Sequence, residues 1–96
     1  MKFEWDDQKN ESNLRKHGIF FEDAIRVFED LNCLTYLDRV EEGEERWHAI
    51  GVVEKTLLFL LVVHTYKEQG TEEIVRIISA RRANNQEKIR YVAAIL

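Results

Sequence analysis

Apolar residues recur along this chain in two rhythms, and the change between them divides it. Phe21, Ala24, Ile25 and Phe28 stand at i, i+3, i+4 and i+7, one stripe on a helix. Ahead of them, Asp6 or Asp7 can cap a helix running to about His17, with Gly18 as its stop. The interior of that helix is polar apart from Leu14, so it must lie on the surface and be held by docking. Phe3 and Trp5 alternate before it, a short start compatible with a first edge strand, and Asp30, Leu31 and Asn32 read as the exit from the second helix.

From Cys33 onward the period falls to two. Strand formers fill Cys33 to Leu37, and the acidic run Asp38 to Glu45, with Gly43 inside it, reads as a turn. Arg46–Val53 and Thr56–Tyr66 flank Glu54 and Lys55 as a hairpin. The stretch TLLFLLVVH is nearly continuous in apolar residues, which predicts a central strand covered on both faces. Gln69 and Gly70 mark another turn, and Glu73–Ser79 a last strand. Asn84 and Glu87, at capping-box spacing, open a helix expected to bury Ile89, Val92 and Leu96, with Tyr91 and Ile95 at its margins. The order predicts one α+β domain over residues 1–96: N-terminal helices packed on a four-stranded antiparallel sheet, then a C-terminal helix. The other face of the meander, or its end, is left for a ligand.

Charge changes the picture next. The net charge of −4 opposes nucleic-acid binding. Its distribution does not, because residues 75–96 carry Arg76, Arg81, Arg82, Lys88 and Arg90 against Glu87 alone. A solvated helix face explains that asymmetry as well as a nucleic-acid site does. The single cysteine, Cys33, forms no internal disulfide. The run Leu57–Val63 is too short to cross a bilayer and the start lacks a signal-peptide core, so a soluble cytoplasmic protein with no membrane partner is expected. No P-loop or GxGxxG occurs, His48 and His64 lack zinc spacing, and no strand-borne carboxylate pair is evident. Neither cofactor nor metal is expected.

The stretch RIISARRAN, residues 76–84, carries the chemistry. Arg76 lies among strand isoleucines, either facing a site or snorkelling at the sheet margin beside Glu45. Arg81 and Arg82 follow at the strand's end, before the capped helix, where two guanidiniums and a helix N-terminus suit phosphate oxygens. The alternative gives one arginine to phosphate and the other to nearby carboxylates. His64 ends the most apolar strand and suits proton transfer near neutrality, or simple packing. Lys16 and His17 stand where a helix C-terminus favours positive charge. Trp47 suits base stacking or the core, and His48 alternates away from it toward solvent.

Taken together, these residues resemble the BrnT toxin family within the wider RelE-like ribonuclease group. The match runs from FEWD at 3–6 through N-x-x-KHG at 13–18, F-x-x-A at 21–24 and VFED at 27–30. It continues with ERW at 45–47, Gly51, VVHT at 62–65, RIISARRA at 76–83, Glu87 and Tyr91. The ERW and RIISARRA pair at this interval is the specific part. Phe20 replaces the small polar residue expected before the second helix, and YKEQGTEE is longer and more acidic than a minimal turn.

The resemblance implies helices against a small antiparallel sheet and a ribonuclease toxin that blocks translation. It also implies neutralisation by a BrnA-like ribbon-helix-helix antitoxin, with operator DNA bound through the complex. Arg76 and Arg81 carry over as catalytic, with Arg46 and His64 behind them; Lys16, Trp47 and Arg82 are RNA-binding candidates. The expected reaction is attack of an RNA 2′-hydroxyl on its own phosphate, with Arg76 and Arg81 clamping one transition state and His64, or else Lys16, moving the proton. Two rivals need no such clamp: a non-catalytic nucleic-acid-binding protein, and a weakly active co-repressor scaffold.

Overall fold

The computed structural model describes residues 1–96. Strand β1 (Lys2–Glu4) leads into helix α1 (Asp7–His17) and a short α2 (Phe21–Ala24) that tightens into a 3₁₀ turn over Ile25–Glu29. Then come β2 (Leu34–Glu41), β3 (Glu44–Val53), β4 (Leu58–Gln69), β5 (Glu72–Arg82) and α3 (Asn85–Ile95). The sheet order is β1-β5-β4-β3-β2. The expected antiparallel meander is there, but the sheet has five strands and is mixed, because Phe3 and its neighbours pair with β5 in parallel. The parallel pairing follows from α1 and α2, which return the chain across the sheet before β2 begins.

Asp6 caps α1, its carboxylate accepting from the N–H of Gln8 and Lys9, and Gly18 ends the helix at φ 70°. Phe20 supplies no side-chain cap to α2. Asn10 of α1 does so instead, its Oδ1 accepting from the Phe21 N–H at 2.8 Å. One face of the sheet, the helix face, packs Ala49, Leu60, Val62, Val75 and Ile77 against Phe21, Ala24 and Val27. The opposite face packs Ile50 and Leu61 against Tyr91 of α3. β4, in the middle of the sheet, is covered on both sides, as its composition requires.

Helix α3 docks differently from expectation. Tyr91 is the buried residue, while Ile89, Val92 and Leu96 are exposed. The Tyr91 ring meets Phe59 edge-on at 5.5 Å, and its hydroxyl donates to Asp30 Oδ2 at 2.6 Å. Asp30 also accepts from the Val52 N–H at 2.9 Å, tying the 3₁₀ turn, β3 and α3 together. Gly51 permits that approach: a Cβ there would lie 2.8 Å from Val27 and 3.3 Å from Asp30. The face of α3 turned inward is therefore polar, which an apolar stripe cannot reveal.

Two buried polar residues sit on the helix face. Asn13 reaches across to β5, where its amide donates to Ala80 O at 2.8 Å and to Ile19 O at 3.0 Å, and accepts from Ala80 N at 3.0 Å. β1 pairs with β5 only at residues 74–76, so Asn13 completes the ladder where β1 has ended. His64 is fully buried, edge-on to Phe28 at 5.0 Å, and its Nε2 has no hydrogen-bond partner. Burial lowers its pKa to about 4. His64 is thus packed inside the helix face, out of reach of solvent.

Two outcomes follow. Asn13→Ala should cost about 2–4 kcal/mol in urea unfolding, since it orphans a buried N–H and two carbonyls. The depressed pKa of His64 means the folded state resists the proton that the unfolded chain takes up near ~6.5. Its contribution is therefore constant above that pH and is lost as pH falls toward about 4, a change on the order of 3 kcal/mol. A pH series of unfolding curves should show this slope, and His64→Leu should flatten it.

Candidate active site

Two bulges decide which charged side chains meet. Val63 stands opposite Ser79 and His64 opposite Ile77, which leaves Ile78 unmatched in β5. In a regular strand Arg76 and Arg81, five residues apart, would point to opposite faces. The extra residue shifts the parity, so Arg76 (opposite Thr65) and Arg81 (opposite Leu61) both stand on the face that α3 partly covers. The second bulge, between Leu37 and Arg39, leaves Asp38 unmatched in β2. Asp38 Oδ2 lies 3.5 Å from His48 Nε2. His48, opposite Val63, is on the α3 face as well.

Arg81 lies within β5, not after it, and the α3 cap, Asn84, comes later. The guanidinium is held on one side. Nη1 and Nη2 donate to the two carboxylate oxygens of Glu87 at 2.8 and 2.9 Å, and Nη1 also donates to the Arg82 carbonyl at 3.2 Å. A guanidinium has five N–H donors. These three leave Nε–H and one Nη2–H, which project together as a single open fork suited to two oxygens of a phosphate. Glu87 is itself fixed by the start of α3, where it accepts from the Asn84 N–H at 2.8 Å while Asn84 Oδ1 accepts from the Glu87 N–H. The hydrogen bond from Arg81 holds Glu87 below the usual carboxylate range.

His48 is mostly covered, its side chain 13% exposed. Its Nδ1 lies 3.2 Å from the Tyr36 hydroxyl. Burial lowers its pKa, Asp38 opposes that shift, and the nearby charge of Arg81 adds to it. The imidazole is therefore neutral near pH 7, opposite in sign to what its carboxylate neighbour alone would produce. Tyr36 in turn lies beneath the Arg90 guanidinium, 3.7 Å from the ring centroid. A proton-accepting imidazole, a phenol and an anchored guanidinium thus share one face beside α3.

The other expected residues are distributed around this group. Arg46 shares the face of His48, two residues away along β3, and pairs with Glu44 at 3.3 Å. Arg76 lines a shallow recess of about 380 Å³ with Glu4, Trp5, Asp6 and Lys67. The β4 partners of Arg76 and Arg81 are four residues apart, about 13 Å at the strand rise of ~3.3 Å per residue. Arg81 does not line the Arg76 recess. Trp47 stands on the helix face, opposite His64 and edge-on to Tyr66 at 5.8 Å, because alternation sends it away from Arg46 and His48. Arg82, opposite Leu60, points to the helix face too, and Lys16 is exposed in the last turn of α1, which packs there. None of these three joins the Arg81–His48 group.

Sequence reasoning passed over Tyr36, Asp38, His48 and the orienting role of Glu87. A signal existed: the alternation that turns His48 from Trp47 places it beside Arg46. A recess of about 630 Å³ around Asp30, Asn32 and Lys55 contains none of the expected site residues. No three His, Cys, Asp or Glu side chains gather to hold a metal ion. No helix is long and apolar enough to cross a membrane.

Among curated proteins none matches the chain significantly. A family model does match, over residues 5–87, a span containing Tyr36, Asp38, His48, Arg81 and Glu87. That model describes the ribonuclease toxin BrnT of type II toxin–antitoxin systems, and on this match the chain belongs to the BrnT family.

Proposed function

We propose that this protein is a metal-independent endoribonuclease whose reaction centre lies between Arg81 and His48, and that a BrnA-like antitoxin neutralises it. One observation carries the reading: a guanidinium anchored through three N–H donors keeps two more free on the same face as a carboxylate-flanked histidine whose pKa its charge helps to lower. Family membership supplies RNA as substrate class and an antitoxin as partner.

In this mechanism the open fork of Arg81 binds a phosphate of single-stranded RNA. With its proton on Nε2 toward Asp38, His48 presents Nδ1 as base, and the substrate 2′-hydroxyl replaces the Tyr36 hydroxyl there. The 2′-oxygen attacks phosphorus, its proton passes to His48, and the bond to the 5′-oxygen breaks. The leaving oxygen takes up a proton, giving a 2′,3′-cyclic phosphate and a 5′-hydroxyl. Arg81 stabilises the charge that builds on the equatorial oxygens. Arg46 and Arg76, farther along the same face, hold flanking phosphates rather than the reacting one. Cleavage of messenger RNA then blocks translation, and operator DNA is bound through the antitoxin complex.

The purified toxin should cut mixed-sequence RNA in EDTA and leave 2′-deoxy substrates intact. Arg81→Ala should lower kcat/KM by about 10²–10³-fold, and His48→Gln should reduce kcat about 10²–10⁴-fold. Because the His48 pKa is lowered from 6.5, the rate should rise with pH through a midpoint below that value, and the limb should vanish in His48→Gln. Intact RNA with folded enzyme, or undiminished cutting by both variants, overturns the assignment. A further variant separates anchoring from charge. Glu87→Gln keeps the α3 cap, so it should fold normally and bind RNA at least as tightly, yet lose kcat because Arg81 is no longer fixed on two oxygens.

A further inference from the structure

Toward the end where the β2–β3 and β4–β5 hairpins turn, one face of the sheet carries paired charges and the other carries exposed apolar residues. Arg39, Arg46, Lys67 and Arg76 all stand on the α3 face, by their pairing with one another or with Thr65 and Ile74. The helix face at that end lies beyond Phe28 and bears no Lys or Arg from these strands. It presents Leu37 and Val40 from β2, 43% and 60% exposed, beside Trp47 and the 36%-exposed Tyr66. Trp47 and Tyr66 meet edge-on at 5.8 Å, which gives the patch a rigid aromatic centre. Glu45, opposite Val40, and Glu73, one of the groups that raise the Tyr66 pKa, stand at its rim.

We propose that this aromatic patch docks a basic, amphipathic segment of the antitoxin. The inference rests on the antitoxin partnership taken from the family match. An apolar centre with a charged rim is how a protein anchor site is built. Both charged residues identified at the rim are carboxylates, which disfavours RNA and selects a partner that brings lysine or arginine around its apolar side chains. The free outer edge of β2 runs beside the patch and offers backbone groups to an extended stretch of the same partner. A second copy of this chain is the poorer occupant. Its own exposed apolar row with a cation, Ile89 and Val92 beside Lys88, lies on α3, so copies would have to meet through two unlike faces and not across a two-fold axis.

The test measures the affinity of purified toxin for the antitoxin encoded beside it, as a function of salt. Wild-type binding should weaken as salt rises. Trp47→Ala should weaken it about thirtyfold. The exposed double variant Glu45→Lys with Glu73→Lys should weaken it about tenfold and remove most of the salt dependence, while its RNA cleavage without antitoxin matches wild type. Tight, unchanged binding by both variants overturns the surface and leaves the partnership standing. Failure of wild-type toxin to bind that antitoxin overturns the partnership and the surface with it. Self-association of the toxin alone that disappears in the double variant gives the patch to a second copy and also overturns the proposal.

Discussion

The side-chain amide of Asn13 stands in for a missing strand, and the geometry of β5 rests on it. β1 reaches only as far as Arg76, leaving the rest of β5 with one open edge just beyond the bulge that presents Arg81. Asn13 answers both polar groups of Ala80 at once, the residue immediately before Arg81. It also ties down Ile19, so the connection between α1 and α2 is fixed against the same strand. A surface helix with little apolar content is thereby docked through one buried amide, a high-stakes arrangement because unpaired polar groups there have no water to turn to.

The second constraint is parity. A strand distributes its side chains by odd and even positions, and each bulge resets the count. The unmatched Ile78 brings Arg76 and Arg81 to one face, and the unmatched Asp38 turns a carboxylate toward His48. The outcome is a division across a sheet one residue thick: the anchored guanidinium, imidazole and phenol on one side, the exposed aromatics on the other. An acidic protein can in this way bring two arginines to one face without changing its net charge.

Much of the architecture was legible from periodicity and caps. Asp6, Gly18, Asn84 and Glu87 mark helix ends by local chemistry, and the composition of β4 announced burial on both faces. Local chemistry does not report pairing, so the parallel docking of β1 had no signal beyond Phe3 and Trp5. The α3 orientation was misread because its inward residues, Glu87, Arg90 and Tyr91, are chosen for polar contacts and not for hydrophobicity. For the site, residue type identified Arg81 but could not place it, since the bulge at Ile78 is invisible in the sequence. His64 and His48 could not be told apart for the same reason: both lie on strands, and only the fold shows that Phe28 covers one while the charge of Arg81 reaches the other.

The unmatched residue in β5 also constrains how this chain can vary over descent. Deleting one residue between Arg76 and Arg81 would remove the bulge yet leave the two arginines four positions apart, still on one face. Flattening the bulge with all five positions kept would instead drive one guanidinium into the packed side of the sheet. Length and bulge are therefore bound together: this stretch can lose its extra residue only by losing the kink with it.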